Sequence, residues 1–145
     1  MIDFLWIREK LLSSKKYWPK LMEIISKTCD VLENDVDLQL KAERIFEIFS
    51  QILLDICTHI IAHSKEPPPQ TYSKCMEKLG KLGIIKPKTV EKATSLIKMR
   101  NFIVHQYSNI DYNILFEGLR ELHKDFPQFQ EEILIWIDSQ NKNRD

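Results

Sequence analysis

A long apolar stripe at helical spacing constrains the fold more than any other feature of this chain. Its members recur every three or four residues: Leu38, Ala42, Ile45, Phe49, Ile52, Ile56 and Ile60. Side chains at this spacing line one face of an α-helix, so the pattern predicts a long helix with a buried face. Asp35 or Asp37 can cap its start, and His63 lies near its end. We expect this helix at the centre of the fold.

Prolines and glycines divide the rest of the chain into further helical segments. A helix over about residues 3–28 should break or restart at Pro19, because proline donates no backbone hydrogen bond. Its expected inward residues are Leu5, Leu12, Leu21, Ile24 and Ile25. The three prolines at 67–69 predict the main linker, and a short helix over about 71–79 should then end at Gly80 and Gly83. Pro87 is well placed to open the next helix.

The last third predicts two more helices. Asp111 can cap a helix that runs to about residue 124 and buries Ile114, Leu115, Leu119 and Leu122. Pro127 should restart a final helix, and the polar tail 139–145 should fray. With only three glycines and helical spacing throughout, the sequence predicts an all-α fold. We expect an antiparallel, up-down helical bundle of four main helices plus short ones, forming a single domain over 1–145.

Cysteine usage and hydropathy indicate the compartment. Cys29, Cys57 and Cys75 form no CxxC pair and leave an odd thiol in any pairing, which suits a reducing interior. No unbroken apolar run approaches the roughly 18 residues of a membrane span, and charge lies within the first ten residues. We therefore expect a cytoplasmic protein without a membrane anchor or an export signal.

Arg100 is the most informative polar residue, because it falls within a second apolar stripe. Val90, Ala93, Ile97, Arg100, Val104 and Tyr107 share one face of a predicted helix. A buried guanidinium costs several kcal/mol unless it is paired, so it needs either a protein partner or an anionic ligand. The surrounding segment 74–100 carries eight basic and two acidic residues. Such a surface can attract phosphate, although lysines often only solvate the outer face of a helix.

The segment Arg100-Asn-Phe-Ile-Val-His105-Gln-Tyr107 resembles the R-x4-H-x-Y signature of HEPN toxins from HEPN/MNT toxin–antitoxin systems. The resemblance covers nearly the whole chain, including residues 38–60 as the second helix of the family. One departure is Gln51, near which the family often has an acidic residue. The resemblance implies a helical homodimer with facing motif helices that cleaves RNA, whether mRNA or tRNA, without a metal or another cofactor.

The resemblance also implies roles for individual residues. His105 would act as the acid–base group and Arg100 would bind the phosphoryl oxygens, with Asn101 and Asp55 in support. Asp55 could belong to a buried network with Arg44 or Arg100. Tyr107 would be the site at which the partner MNT antitoxin, a minimal nucleotidyltransferase, attaches adenylyl groups. On an unbroken helix Arg100 and His105 point about 140° apart, so either the helix ends before His105 or the two residues act from different subunits.

Two other interpretations remain open from the residues. The chain could be a non-catalytic helical module that binds a nucleotide or a partner transferase, with Arg100 merely holding phosphate. Alternatively, Asp55, His59 and His63 are each four residues apart on one helical face, as metal ligands often are. Three ligands on one helix need a further ligand from elsewhere, and histidines near a helix end commonly interact only with its terminal carbonyls.

Overall fold

The computed structural model describes residues 1–104 and 109–143, apart from the side chain of residue 104. In those ranges the protein is helical and contains no strand, as predicted. The α-helices are α1 (Phe4–Leu12), α2 (Trp18–Ile25), α3 (Cys29–Glu33), α4 (Val36–Ala62), α5 (Cys75–Lys81), α6 (Pro87–Val104) and α7 (Tyr112–Lys142). Two short 3₁₀ segments, Ser13–Lys16 and Tyr72–Lys74, precede α2 and α5.

The predicted central helix is α4. Asp35 caps it by accepting a hydrogen bond from the Leu38 backbone N–H at 3.1 Å. All seven residues of the apolar stripe are buried, and α1, α2, α3, α5, α6 and α7 all contact this helix. By length and composition alone α4 could cross a membrane, although its sequence contains no unbroken apolar run of that length. Because 61% of its apolar window is buried inside the protein, the apolarity of α4 is accounted for by the core.

The N-terminal region restarts at Pro19, as predicted. A 3₁₀ segment separates α1 from α2, and Pro19 lies in the first turn of α2. The predicted inward face is correct for α2 but wrong for α1, where Leu5 is 66% and Leu12 is 39% exposed. Ile7 and Leu11, four residues apart on another face of α1, are fully buried instead.

A carboxylate from α7 holds the start of α6. Glu132 is only 6% exposed, and its carboxylate accepts hydrogen bonds from the Lys86 backbone N–H at 2.6 Å and from the Thr89 hydroxyl. Negative charge at this position satisfies an unpaired N–H group and interacts favourably with the helix dipole. Pro87 is the first residue of α6, as predicted, and Gly83 supplies the positive φ of 75° in the preceding turn. The contact therefore fixes one end of the helix that carries Arg100.

The predicted break at Pro127 is wrong. A single helix, α7, continues through Pro127 from its cap at Asp111 to Lys142. Phe126 and Phe129 are both buried, so packing on either side of the exposed proline stabilises the helix despite the lost backbone hydrogen bond. The helix also includes residues 139–142, where fraying was expected; the last two residues of the tail lie outside the described ranges.

The bonding of the cysteines differs from the reduced state that the sequence suggested. Cys57 of α4 and Cys75 at the start of α5 are joined by a disulfide bond, with their Cα atoms 6.2 Å apart, and Cys29 is free. Both bonded cysteines are fully buried where α4 packs against α5. The chain spacing of these cysteines gave no sign of this contact.

Candidate functional site around Arg100

Arg100 lies near the C-terminal end of α6, at the edge of the buried stripe. Ala93 and Ile97 on the same face are buried, whereas Val90 and Arg100 are half-buried. The Arg100 Nη2 group donates a hydrogen bond to Oε1 of Gln51 on α4 at 3.1 Å. The guanidinium is therefore held by a neutral amide, which does not offset its charge as a carboxylate would, and this suits a site for an anion.

Gln51 connects Arg100 to two further charged residues. Its Nε2 donates to Oδ1 of Asp55, one helical turn along α4, at 2.7 Å. The other oxygen of Asp55 lies 3.0 Å from Nζ of Lys10 on α1. Side chains from α6, α4 and α1 thus form one polar chain in the order Arg100, Gln51, Asp55 and Lys10, which we call the Arg100 relay.

The relay places Asp55 in a network with Arg100, one of the two arginines considered from the sequence. Arg100 reaches Asp55 through Gln51, whereas the other arginine, Arg44, pairs with Glu47 at 3.4 Å. The amide of Gln51 is therefore a contact of Arg100 in this chain.

Contacts with the described residues leave some donors of Arg100 available. Within residues 1–104 and 109–143, its buried Nε has no hydrogen-bond partner, and no carboxylate forms an ion pair with it. Its Nη1 reaches Oδ1 of Asn101 only at 3.5 Å, at the limit of a hydrogen bond. An unsatisfied buried donor is costly, so a phosphate oxygen accepting from Nε would stabilise this arrangement.

Tyr72 is a neighbour of Arg100 that the sequence analysis did not identify. Tyr72 is 54% exposed, and Cζ of Arg100 lies 5.9 Å from its ring centroid, within the range of a cation–π contact. The 3₁₀ segment Tyr72–Lys74 packs against α6, which brings the two residues together. Their positions in the sequence lie on opposite sides of α5, so no periodicity could have revealed this pairing.

A cleft lies beside Tyr72, between the end of α4 and the proline linker. Its volume is about 560 Å³, and its lining includes Thr58, Ile61, Pro68, Gln70, Thr71 and Tyr72. We call it the Tyr72 cleft. Tyr72 lines this cleft and also lies 5.9 Å from Cζ of Arg100, so the cleft and the guanidinium share Tyr72 as a neighbour.

The histidines of α4 take structural roles. His59 accepts a hydrogen bond from the Asp3 backbone N–H at 3.1 Å, and its ring packs on Trp6 and His63. Burial, followed by the proximity of His63, lowers the pKa of His59. His63 donates through Nδ1 to the His59 carbonyl at 2.9 Å. Since Asp55 is engaged by Gln51 and Lys10, and the described residues contain no group of three metal-ligating side chains, the geometry gives the metal-site interpretation no support.

The predicted residues His105 and Tyr107 lie outside the described residues, as does the side chain of Val104. The structure therefore places Arg100, Asn101 and Asp55 of the predicted set. Arg100 and Asn101 are adjacent, and Asp55 joins them through Gln51.

Comparison with known proteins decides the family. The family model described as ribonuclease HepT-like matches residues 15–133. The chain belongs to the ribonuclease HepT-like family. A curated HepT-like relative, the tRNA nuclease HepT of Aphanizomenon flos-aquae (strain 2012/KM1/D3), is 26% identical over 129 residues. That match covers 87% of this chain and 88% of the relative. The predicted family and the ribonuclease class are thus confirmed.

Solved structures share the HepT-like fold. The tri-AMPylated Shewanella oneidensis HEPN toxin in complex with its MNT antitoxin has a TM-score of 0.77 at 20% identity, covering 93% of this chain and 99% of that one. YutE of Bacillus subtilis, described as a cytosolic protein of unknown function, has a TM-score of 0.73 at 18% identity, with 92% of each chain covered. These likenesses confirm the predicted all-α, HEPN-like fold.

Proposed function

We propose that this chain is a metal-independent endoribonuclease and the toxin of a toxin–antitoxin pair, acting on tRNA or mRNA in the cytoplasm. The observation that carries the proposal is the state of Arg100, which is held by a neutral amide and has donors available for an anion. A phosphodiester supplies the anionic oxygens that such a guanidinium binds. Membership of the HepT-like family and the tRNA nuclease relative support RNA as the source of that phosphodiester.

The reaction follows from the residue types of the motif. His105 takes the proton from a ribose 2′-hydroxyl, whose oxygen attacks the adjacent phosphorus and displaces the 5′ oxygen. The leaving oxygen takes a proton from water, and His105 returns its own proton to solvent. An imidazole is suited to this proton transfer near neutral pH, and such assistance contributes typically 10²–10⁴-fold. Arg100 stabilises the charge that grows on the phosphoryl oxygens, and Asn101 orients the phosphate or the histidine. The products are a 2′,3′-cyclic phosphate and a free 5′-hydroxyl.

The active form we propose is a homodimer in which the two α6 helices face each other. Residues five apart on a helix point about 140° away from each other, so Arg100 and His105 of one unbroken helix do not converge on one phosphate. With two copies facing, Arg100 of one subunit and His105 of the other reach the same phosphodiester. Each copy then acts as one helical domain over 1–145.

We propose that a nucleotidyltransferase antitoxin controls this activity by adenylylating Tyr107. The AMPylated HEPN toxin in complex with its MNT antitoxin is a structural relative that supports this partner. Tyr107 follows Arg100 by seven residues, a spacing that shares a face wherever the helix continues. An adenylyl phosphate on Tyr107 would occupy Arg100 and exclude the RNA phosphate, so one arginine explains both cleavage and its inhibition.

Purified protein incubated with total RNA and tRNA in the presence of a chelator tests the proposal. Wild type should cleave and leave 2′,3′-cyclic phosphate ends, whereas Arg100→Ala and His105→Ala should leave RNA intact. Arg44→Ala and His63→Ala are matched controls, because Arg44 pairs with Glu47 and His63 bonds only to the α4 backbone among its described contacts. Intact RNA with all proteins, combined with an unmodified Tyr107 by mass spectrometry, would contradict catalysis and favour a module that only binds nucleotide or its partner.

A further inference from the structure

Tyr72 offers an exposed aromatic face beside the phosphate-binding arginine. The residue is 54% exposed although its ring lies next to Arg100, at 5.9 Å from ring centroid to Cζ. Most large aromatic rings of the described chain pack in or against the core, including Trp6, Trp18 and Phe49. A tyrosine face left open next to a cation is the arrangement that single-stranded nucleic acid sites use to stack bases.

The Tyr72 cleft has the size and lining of a ligand site. Its volume of about 560 Å³ lies within the range of roughly 300–1,000 Å³ that is usual for small-molecule sites. Ile61 and Pro68 supply apolar walls, while Gln70 and Thr71 supply polar groups. The described contact of the Gln70 side chain is a weak one, in which its Oε1 accepts from Lys74 at 3.5 Å, so its amide N–H groups can donate to a ligand.

Charge determines the direction in which an occupant would lie. Glu66 is the acidic residue of the lining, and Lys78 and Lys81 pair with its carboxylate at 3.9 and 3.3 Å. The cleft is therefore close to neutral, whereas the positive charge lies on the Arg100 side of Tyr72. A matching occupant has an anionic group at Arg100 joined to a flat, neutral, hydrogen-bonding body in the cleft. A nucleotide has this distribution of charge and shape.

We propose that the Tyr72 cleft is a nucleobase subsite, which binds the base of a nucleotide next to the phosphate held by Arg100. Tyr72 stacks on the base, and Gln70 and Thr71 contact its polar edge, as in other sites for unpaired RNA bases. The subsite rests on the proposed ribonuclease function, and it makes Tyr72 a residue that selects unpaired RNA.

The test measures RNA binding in the His105→Ala background, so that the RNA stays intact. A fluorescently labelled short oligoadenylate is compared with an abasic ribose-phosphate oligomer of equal length. Tyr72→Ala should weaken oligoadenylate binding by about 5- to 150-fold, the usual range for loss of one base–aromatic stack, and should barely change abasic binding. Tyr72→Phe should bind like the parent. Tyr17→Ala is the matched control, because Lys16 lies 4.9 Å from its ring centroid at a different surface.

Four other results would contradict the proposed nucleobase subsite. Equal losses for both oligomers would mean that Tyr72 only positions Arg100, and unchanged binding would leave the cleft without a role in RNA recognition. A shift from dimer to monomer in Tyr72→Ala with no base-dependent loss would assign the cleft to a second copy of the chain. The subsite also fails if neither oligomer binds the parent. Failure of the ribonuclease proposal is seen separately, as absence of cleavage by wild type.

Discussion

Gln51 accepts a hydrogen bond from Nη2 of Arg100 at 3.1 Å and donates one to Asp55 at 2.7 Å, so a neutral amide on α4 links the motif arginine of α6 to a carboxylate one turn along α4. An amide can serve both neighbours because it carries an acceptor and a donor. A carboxylate at position 51 would attract Arg100 more strongly, but it could not donate to Asp55 and would repel it.

Gln51→Ala should lower kcat for RNA cleavage by about 10- to 100-fold, the equivalent of losing one hydrogen bond to a charged group. Gln51→Glu should restore only part of that loss, because the new carboxylate holds Arg100 but offsets its charge and repels Asp55. Gln39→Ala is the matched control on α4, since the Gln39 side chain bonds to backbone carbonyls around α3. Equal kcat for Gln51→Ala and wild type would show that Arg100 needs no positioning by α4.

Asp55→Asn should have a smaller effect than Gln51→Ala. The asparagine still accepts from Gln51, and only the ion pair with Lys10 is lost, between side chains that are 30% and 33% exposed. Partly exposed ion pairs contribute typically no more than about 1 kcal/mol. We expect a change in the free energy of unfolding below about 1 kcal/mol and a fall in cleavage of only a few-fold, measured by urea denaturation and initial rates. A larger loss of cleavage than in Gln51→Ala would place Asp55 in direct contact with RNA.

Much of the fold was predictable, because local patterns determine it. The buried stripe of α4, the restart at Pro19 and the start of α6 at Pro87 all follow from spacing and backbone chemistry that act within one helix. Pro127 shows the limit of this reasoning, since the buried neighbours Phe126 and Phe129 override a local helix breaker. The predicted buried face of α1 was also wrong. The 3₁₀ segment between α1 and α2 interrupts the α-helical periodicity, so the buried stripe of α2 does not continue in phase into α1.

The candidate site was only partly predictable, for a different reason. Arg100 stands out in the sequence because it interrupts an apolar stripe within one helix. Its contacts Gln51 and Tyr72 come from other elements, and no spacing rule relates residues on separate helices. The bond between Cys57 and Cys75 could not be predicted for the same reason, because it depends on how α4 and α5 pack together.

His59 should make the protein less stable in mildly acidic solution. Burial and the nearby His63 lower its folded pKa, so the folded state binds fewer protons than the unfolded state between the two pKa values. The stability that His59 contributes is therefore fully present above its ordinary pKa of about 6.5 and is lost as the pH falls through the folded pKa. Urea denaturation should show a smaller fall in stability in His59→Gln than in wild type over this pH range. His123→Gln is the control, and an unchanged pH dependence in His59→Gln would contradict the assignment.

The disulfide between Cys57 and Cys75 should contribute measurably to stability. It joins residues 18 apart in the chain, and a loop of this size is expected to contribute about 3 kcal/mol by restricting the unfolded state. Addition of dithiothreitol should lower the free energy of unfolding of wild type by about that amount and leave the double variant Cys57→Ser/Cys75→Ser unchanged. Two free thiols at these positions in protein isolated from cells would show that the bond does not form there.

Replacing Glu132 with alanine should destabilise the protein more than the other polar substitutions proposed here, although Glu132 lies outside the Arg100 relay. Its carboxylate is 6% exposed and accepts from the Lys86 backbone, the Thr89 hydroxyl and the Gln128 amide. Glu132→Ala leaves these groups without their acceptor, and unsatisfied buried groups cost about 1–3 kcal/mol each. We expect the free energy of unfolding to fall by about 2–4 kcal/mol, measured by urea denaturation. Glu131→Ala, at the adjacent exposed position, is the matched control. Equal stability of the two variants would mean that α6 needs no contact from α7 to begin at Pro87.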